Sequence, residues 1–291
     1  MNKIDLAWFA YSSGYLVVAF LFLFLAKVLY NLLTSFNVNK QLTEKDNPAM
    51  GLHLCGFLLG MVLVLSSVFS GDSGEPTLAH FIEEIKEVAL YGALGLVLLL
   101  LAGLINDKLI LHSFDNRKEI IEKENKAVAA LTGTTYISSG VIIAAAIYAS
   151  VDIISVLIFY GVGQLILLIF MFIYQKMTAY DDLQELGEKQ NLSVALSISG
   201  NLLAYSLILF KGIAVNPAFV EEWSLQERLI NVAYYAVGGV ILLYLARLVV
   251  DFMFLPKVKL HKELVEDQNL NAGLMEGTLA LSMGVVLCIC L

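Results

Sequence analysis

Charge is what this chain has least of. Asp, Glu, Lys and Arg make up 15% of its 291 residues against 59% hydrophobic, and the mean hydropathy is +0.79. Soluble domains carry roughly 25% charged residues, so a soluble fold is excluded and an integral membrane protein is indicated. Basic residues are the scarcer sign, 18 against 26 acidic, for a net charge of -8. No basic surface is left to neutralise phosphates, which excludes a nucleic-acid binder; the acidic balance points to cations or to solvated loops. Cysteine is limited to Cys55, Cys288 and Cys290, all within apolar runs. Cys288 and Cys290 stand two apart and face different sides of a helix, so all three read as small packing residues.

The catalytic vocabulary is thin too. There is no H-E-x-x-H, no second His in an apolar run to ligate haem and no paired Asp within a span, while His80, His112 and His261 are scattered. No enzyme activity, cofactor or metal is expected. GDSG at 71 to 74 lacks an accompanying His and Asp arrangement and consists of turn residues. No phosphate-binding G-x-x-x-x-G-K-S/T occurs.

Long apolar runs are plentiful. Runs able to cross a hydrocarbon core, which takes about 20 helical residues, fall at 10–32, 49–70, 87–106, 127–149, 152–175, 192–214, 230–252 and 270–291. The first has no basic region ahead of it and no small-residue cleavage site, and reads as a retained helix. Eight spans are thus expected in an all-α polytopic membrane protein.

A polar knot recurs at the mouth of every even span: EKDN at 44–47, EKEN at 122–125, EKQN at 188–191 and EDQN at 266–269. Asn191 lies 144 residues after Asn47, and Asn269 lies 144 after Asn125. Such a period marks a two-helix hairpin doubled twice, giving a pseudo-fourfold chain of two four-helix repeats, 1–150 and 151–291. The odd spans carry Tyr11, Tyr91, Tyr160 and Tyr235 near their starts, each followed sixteen residues later by Lys27, Asp107, Lys176 and Asp251. Because each unit holds two spans, the repeats run parallel and are not inverted. Outside the spans or near their ends, twelve Lys and Arg lie on the knot side and four on the other. This places the knots in the cytoplasm and both termini outside.

The knot has a physical reason. Asn is a leading N-cap and Pro48 suits the first helical position, so Asn47, Asn125, Asn191 and Asn269 satisfy helix amides that lipid cannot. Glu44, Glu122, Glu188 and Glu266 add negative charge near the positive helix end, worth about 0.3 to 1 kcal/mol each. An apolar residue five before each Asn (Leu42, Ile120, Leu186, Leu264) suggests a short amphipathic segment along the membrane interface.

These tandem E-x-x-N hairpins and the glycines after them resemble the YjfL-like bacterial inner-membrane family, catalogued as domain of unknown function 350. The resemblance covers the chain in two copies and implies a bacterial inner-membrane location without a known activity. A fused double of a four-span form suggests that single-copy relatives dimerise.

Counting from each Asn, positions four and eight are small on every even helix (Gly51 and Cys55, Ala129 and Gly133, Ala195 and Ser199, Gly273 and Gly277). A second small face lies at positions nine and thirteen, including Gly56, Thr134, Gly200 and Thr278. Two such faces suit close neighbours on both sides, so spans 2, 4, 6 and 8 are expected as an inner ring, with or without a pore, and the odd spans outside it.

Glu276 lies about 10 Å into its helix at 1.5 Å per residue, where a carboxylate marks a site, a relay or a paired ion. His53 lies at similar depth and is either a structural hydrogen-bonding group or a ligand. Ring closure would bring the two together as an ion or proton site with Asn201, Thr134 and Thr278 as further candidates. The knot glutamates, joined by Asp46 and Glu124, form either an acidic cation vestibule or simple caps. Lys27 and Arg247 are expected to snorkel, with Asp251 a candidate partner of Arg247.

The leading functional expectation is a channel or transporter for cations, protons or small solutes, as a monomer or a homo-oligomer. The alternative is a non-conducting scaffold that docks a cytoplasmic partner through its loops, especially 107–126.

Overall fold

A computed structural model describes residues 6–70, 77–150, 152–215, 223–253 and 259–290. The GDSG turn at 71–74 and the side chain of Asp251 lie outside the described residues. All regular structure among the described residues is helical: α1 (Leu6–Leu33), α2 (Val38–Thr43), α3 (Pro48–Phe69), α4 (Leu78–Leu109), α5 (Asn116–Ile121), α6 (Lys126–Tyr148), α7 (Ile153–Met177), α8 (Asp182–Gly187), α9 (Leu192–Ile213), α10 (Leu225–Met253), a π-helical turn (Lys262–Glu266) and α11 (Leu270–Cys290). Eight of these are long and apolar enough to cross a membrane: α1, α3, α4, α6, α7, α9, α10 and α11. The chain is an all-α integral membrane protein built as two four-span repeats.

Helix α4 starts at Leu78, well ahead of the apolar run. Thr77 caps it by accepting from the His80 amide (3.3 Å). The first three turns carry Glu83, Glu84, Lys86 and Glu87, so the helix extends past the apolar stretch that hydropathy alone outlines. The short elements α2, α5, α8 and the π turn each precede a knot, as the apolar residue at position minus five implied.

The even spans form an open row and not the expected closed ring. Helix α3 packs on α6, α6 on α9 and α9 on α11, leaving α3 and α11 as the two ends. The two outer pairs, α3 with α6 and α9 with α11, approach very closely. Gly56 faces Gly133 and Gly200 faces Gly277 so tightly that a Cβ on Gly56 or Gly200 would run into the partner's backbone. Pairs in backbone contact leave no bore between them. At the end away from the knots a cavity of about 340 Å³ touches Ser67, Tyr148, Phe210 and Cys288, one from each even span. Enclosure follows position in the row: 89% of the most apolar stretch of α6 and 78% of that of α9 is buried, against 44% for α3 and 28% for α11. The two end helices therefore each keep an open face.

Candidate functional site

The knots join neighbouring units. Each Asn caps its own helix through Oδ1, accepting from Met50 N (3.0 Å) at Asn47, Ala127 N (3.0 Å) and Val128 N (3.2 Å) at Asn125, Val194 N (3.2 Å) at Asn191, and Asn271 N (3.1 Å) at Asn269. The amide Nδ2 points the other way, into the next unit. Asn47 donates to the Ile120 carbonyl (2.9 Å), Asn125 to that of Leu186 (2.8 Å) and Asn191 to that of Leu264 (2.8 Å). The acceptors are the residues five before the following Asn, so the short segments present carbonyls to the preceding unit. The residue just before each Asn adopts the left-handed conformation without being glycine: Asp46 (φ 50), Glu124 (φ 53), Gln190 (φ 52) and Gln268 (φ 46). A conformation uncommon for such residues, repeated four times, marks one shared turn.

Sequence reading stressed the exposed carboxylates of this turn. Glu44, Glu122, Glu188 and Glu266 are all exposed, the first three closing the short helices at their C-termini. The acceptors that hold the Asn amides are six residues before each Asn: Gln41 Oε1 (3.2 Å), Glu119 Oε2 (2.9 Å), Glu185 Oε2 (2.9 Å) and Glu263 Oε2 (2.6 Å). Glu119 and Glu185 are buried and also bind Lys123 (2.6 Å) and Lys189 (2.5 Å). A Gln or Glu at that offset in all four units was the available signal.

Deeper in, the 144-residue offset superposes two buried polar clusters. In the first half, Tyr30 Oη lies 2.6 Å from His53 Nε2, and His53 Nδ1 lies 2.7 Å from Thr132 Oγ1. Thr132 spends its proton on the Ala129 carbonyl (3.1 Å), so Nδ1–H donates to Thr132 and Nε2 accepts from Tyr30, a neutral imidazole held at both nitrogens. In the second half Tyr174, Ser197 and Glu276 occupy the same positions. Tyr174 Oη lies 3.2 Å from Ser197 Oγ, and Ser197 donates to Glu276 Oε2. The equivalent tyrosines are thus Tyr30 and Tyr174, not the Tyr11 and Tyr160 suggested by the helix openings. Tyr11 bonds to Glu84, and Tyr160 to the Leu98 carbonyl (3.1 Å).

His53 and Glu276 do not meet. They lie in opposite halves, each facing a central span, because the row does not close. Thr134 returns its hydroxyl to the Ala130 carbonyl (2.8 Å), Asn201 donates to the Ser197 carbonyl (3.0 Å), and Thr278 is exposed on the end helix. None of the three joins a shared site, since each hydroxyl or amide has a nearer acceptor on its own helix or faces outward.

Around the equivalent clusters the two halves diverge. In the first, Tyr30, His53, Tyr136, Asp107 and Asn116 line a cavity of about 360 Å³ near the knots. Asn116 Nδ2 donates to Asp107 (3.1 Å), while its Oδ1 is buried without a hydrogen-bond partner. In the second half, Arg247 stands at the position of Gly103 and Ala280 at that of Tyr136. The Tyr136 hydroxyl packs directly on Gly103. Arg247 instead reaches inward, its Nε 3.3 Å from Glu276 Oε1 and its guanidinium 5.6 Å from the Tyr174 ring centre. It does not snorkel, because Ala280 vacates the space that Tyr136 fills in the first half. Among the described residues no group of three His, Cys, Asp or Glu side chains is placed to hold a metal ion.

A family model described as Domain of Unknown Function (DUF350) matches the chain twice, over residues 6–147 and 148–291. The chain belongs to the DUF350 family. A UPF0719 transmembrane protein of Aquifex aeolicus (strain VF5) is similar at 25% identity, across 90% of this chain and 93% of its own length. The UPF0719 inner membrane protein YjfL of Escherichia coli (strain K12) is 28% identical over 137 residues, which is 46% of this chain but 89% of the relative. The UPF0719 transmembrane protein YshE of Bacillus subtilis (strain 168) matches likewise at 24%, over 46% of this chain and 91% of its own. No solved structure matches significantly.

The two DUF350 copies meet at a polar junction that sequence reading missed. Gln164 Nε2 donates to Asn106 Oδ1 (2.8 Å), Asn106 Nδ2 to Ser139 Oγ (3.2 Å), and Ser139 Oγ to Gln164 Oε1 (3.0 Å). All three are buried. Arg228 binds the Ala149 carbonyl (2.6 Å) at the end of α6. Near the knots of the second copy lies Asp182, whose Oδ1 is buried without a partner, and burial pushes its carboxyl up to about 7.

Proposed function

We propose that this DUF350 protein is an inner-membrane protein that takes up protons or small monovalent cations at the first-half cavity, with the knots facing the cytoplasm. The observation that carries the reading is the buried His53 at the wall of a cavity that also holds Asp107 and the unbonded Asn116 oxygen. Ionisable groups at membrane depth are costly and usually functional. A carboxylate, an orphan carbonyl oxygen and two phenols are oxygen donors of the kind that replace a cation's hydration shell. Tyr30, His53 and Thr132 form a short hydrogen-bonded file leading from the cavity into the helix row. The second half supports the assignment by contrast, because Arg247 neutralises Glu276 and occupies the equivalent volume.

The orientation rests on the excess of Lys and Arg around the knots, and the inner-membrane assignment on the similarity to the inner membrane protein YjfL of Escherichia coli. The tight even-span row favours binding and relay over an open pore. The test is flux of protons and potassium in proteoliposomes. His53→Ala and Asp107→Asn should each reduce flux at least tenfold while Glu276→Gln, if folded, should not. Absence of flux in the unaltered protein would favour the second reading, a membrane scaffold. That reading is supported by the bore-free row and by the exposed Arg117, Lys118 and Lys123 within 107–126, although Asn116, Glu119 and Ile120 of that segment are committed to the fold.

A further inference from the structure

The inter-unit joint is made three times within the chain and left half-made at both ends. Units one to two, two to three and three to four are each linked by an Asn Nδ2 donating to a carbonyl five residues before the next Asn. Asn269 has the same cap and the same acidic neighbour, Glu263, but among the described residues no carbonyl of a following unit receives its amide. It is half-exposed where Asn47, Asn125 and Asn191 are buried. At the other end the Leu42 carbonyl, equivalent to the acceptors of Ile120, Leu186 and Leu264, has no preceding Asn.

The helix faces repeat the pattern. Position nine of one unit lies against position eight of the next: Gly56 on Gly133, and Gly200 on Gly277. In the last unit position nine is Thr278 and is exposed; in the first unit position eight is Cys55 and is exposed. Position four is buried in the three later units, at Ala129, Ala195 and Gly273, whereas a Cβ at Gly51 would meet nothing within 4 Å. The donor that makes only its Glu263 bond and its small face thus sit on one end, and the matching acceptor and small face on the other.

We propose that a second copy of this chain docks head to tail, the first unit of one protomer against the last unit of its partner, by the same joint that links units internally. A second copy is the occupant because the complement of each end is the opposite end of this chain. The half-length relatives point the same way: they span one four-helix copy, so the equivalent of the joint between units two and three can form there only between separate chains. The interface is heterologous, and repeated use closes a ring or extends a row.

The test is disulfide trapping in native membranes with Thr278→Cys in a Cys288→Ala, Cys290→Ala background, alongside the mass of the unaltered protein in lipid nanodiscs. The expected result is oxidation to dimers and a higher ladder that disappear with Cys55→Ser, and an unaltered protein larger than one chain. Gly51→Leu should abolish both without lowering the monomer's thermal unfolding temperature, since a Cβ at Gly51 meets nothing within 4 Å in one chain and leucine is the better helix former. A monomeric unaltered protein would overturn the proposal. So would a disulfide that joins Cys55 to the thiol introduced by Thr278→Cys within one chain, dimers that form through Cys55 alone, or association that persists in Gly51→Leu.

Discussion

Asn125→Asp separates capping from linking. As a cap the exchange is close to neutral, because Asp and Asn are equivalent there. The carboxylate at the helix start even adds about 0.3 to 1 kcal/mol. The opposing effect comes from Nδ2, which donates to Glu119 Oε2 (2.9 Å) and to the Leu186 carbonyl (2.8 Å) with Asn125 fully buried. Losing a bond to a charged group removes about 1.5 to 3 kcal/mol and one to a neutral group about 0.5 to 1.5, with carboxylate repulsion in addition. The net expectation is a loss of roughly 2 to 4 kcal/mol. Asn269→Asp gives up only the Glu263 bond (2.6 Å) at a half-exposed site, and should lose less than about 2 kcal/mol. Unfolding by SDS titration, followed by far-UV circular dichroism, measures both. Asn125→Asp within about 0.5 kcal/mol of the unaltered protein, or no more harmful than Asn269→Asp, would refute the linking role.

Glu276→Gln replaces the carboxylate that pairs with Arg247 Nε (3.3 Å) and accepts from Ser197, and should destabilise by about 1.5 to 3 kcal/mol in the same SDS titration. The triple exchange Arg247→Gly, Glu276→Thr, Ala280→Tyr, which installs the first half's residues, should be more stable than Arg247→Gly or Glu276→Thr alone in thermal unfolding. Gln164→Leu leaves Asn106 and Ser139 without their partner and should lose about 2 to 4 kcal/mol by the same SDS titration. Asp182 has a folded-state pKa of about 7 against 3.8 for the ordinary group. The folded chain therefore holds a proton that the unfolded chain releases, and stability falls as pH rises through that window. Asp182→Asn should raise the Tm above that of the unaltered protein by a few degrees at pH 8, with the difference vanishing near pH 3; a constant offset at both pH values would contradict the burial argument.

The parts of the fold legible in the sequence are those set by local physics. Asn47, Asn125, Asn191 and Asn269 stand at fixed offsets from apolar runs, and a cap needs only its own helix, so both the spans and the repeat follow from spacing. Open row or closed ring depends on which small face meets which neighbour, and Gly56 and Gly51 look alike until Gly133 is placed against one of them. Glu119 and Glu185 escaped notice because a charged residue six before an Asn has no local reason to be buried; its reason is an amide that also reaches into the next unit. Arg247 turns inward because position 280 is alanine, a dependence visible only when residues 103, 132 and 136 are set against 247, 276 and 280. Asn106 and Gln164 come from spans with no repeat-related counterpart of the same type, so periodicity is silent about them.

The central claim is that one asparagine-linked module, reiterated, assembles this membrane protein. Its most direct test is co-expression of residues 1–150 and 151–291 as separate chains with a tag on one, followed by gentle detergent extraction. The account predicts one-to-one co-purification of the halves and its loss when the first half carries Asn125→Asp. Halves that never associate, or that associate equally well with Asn125→Asp, would contradict it.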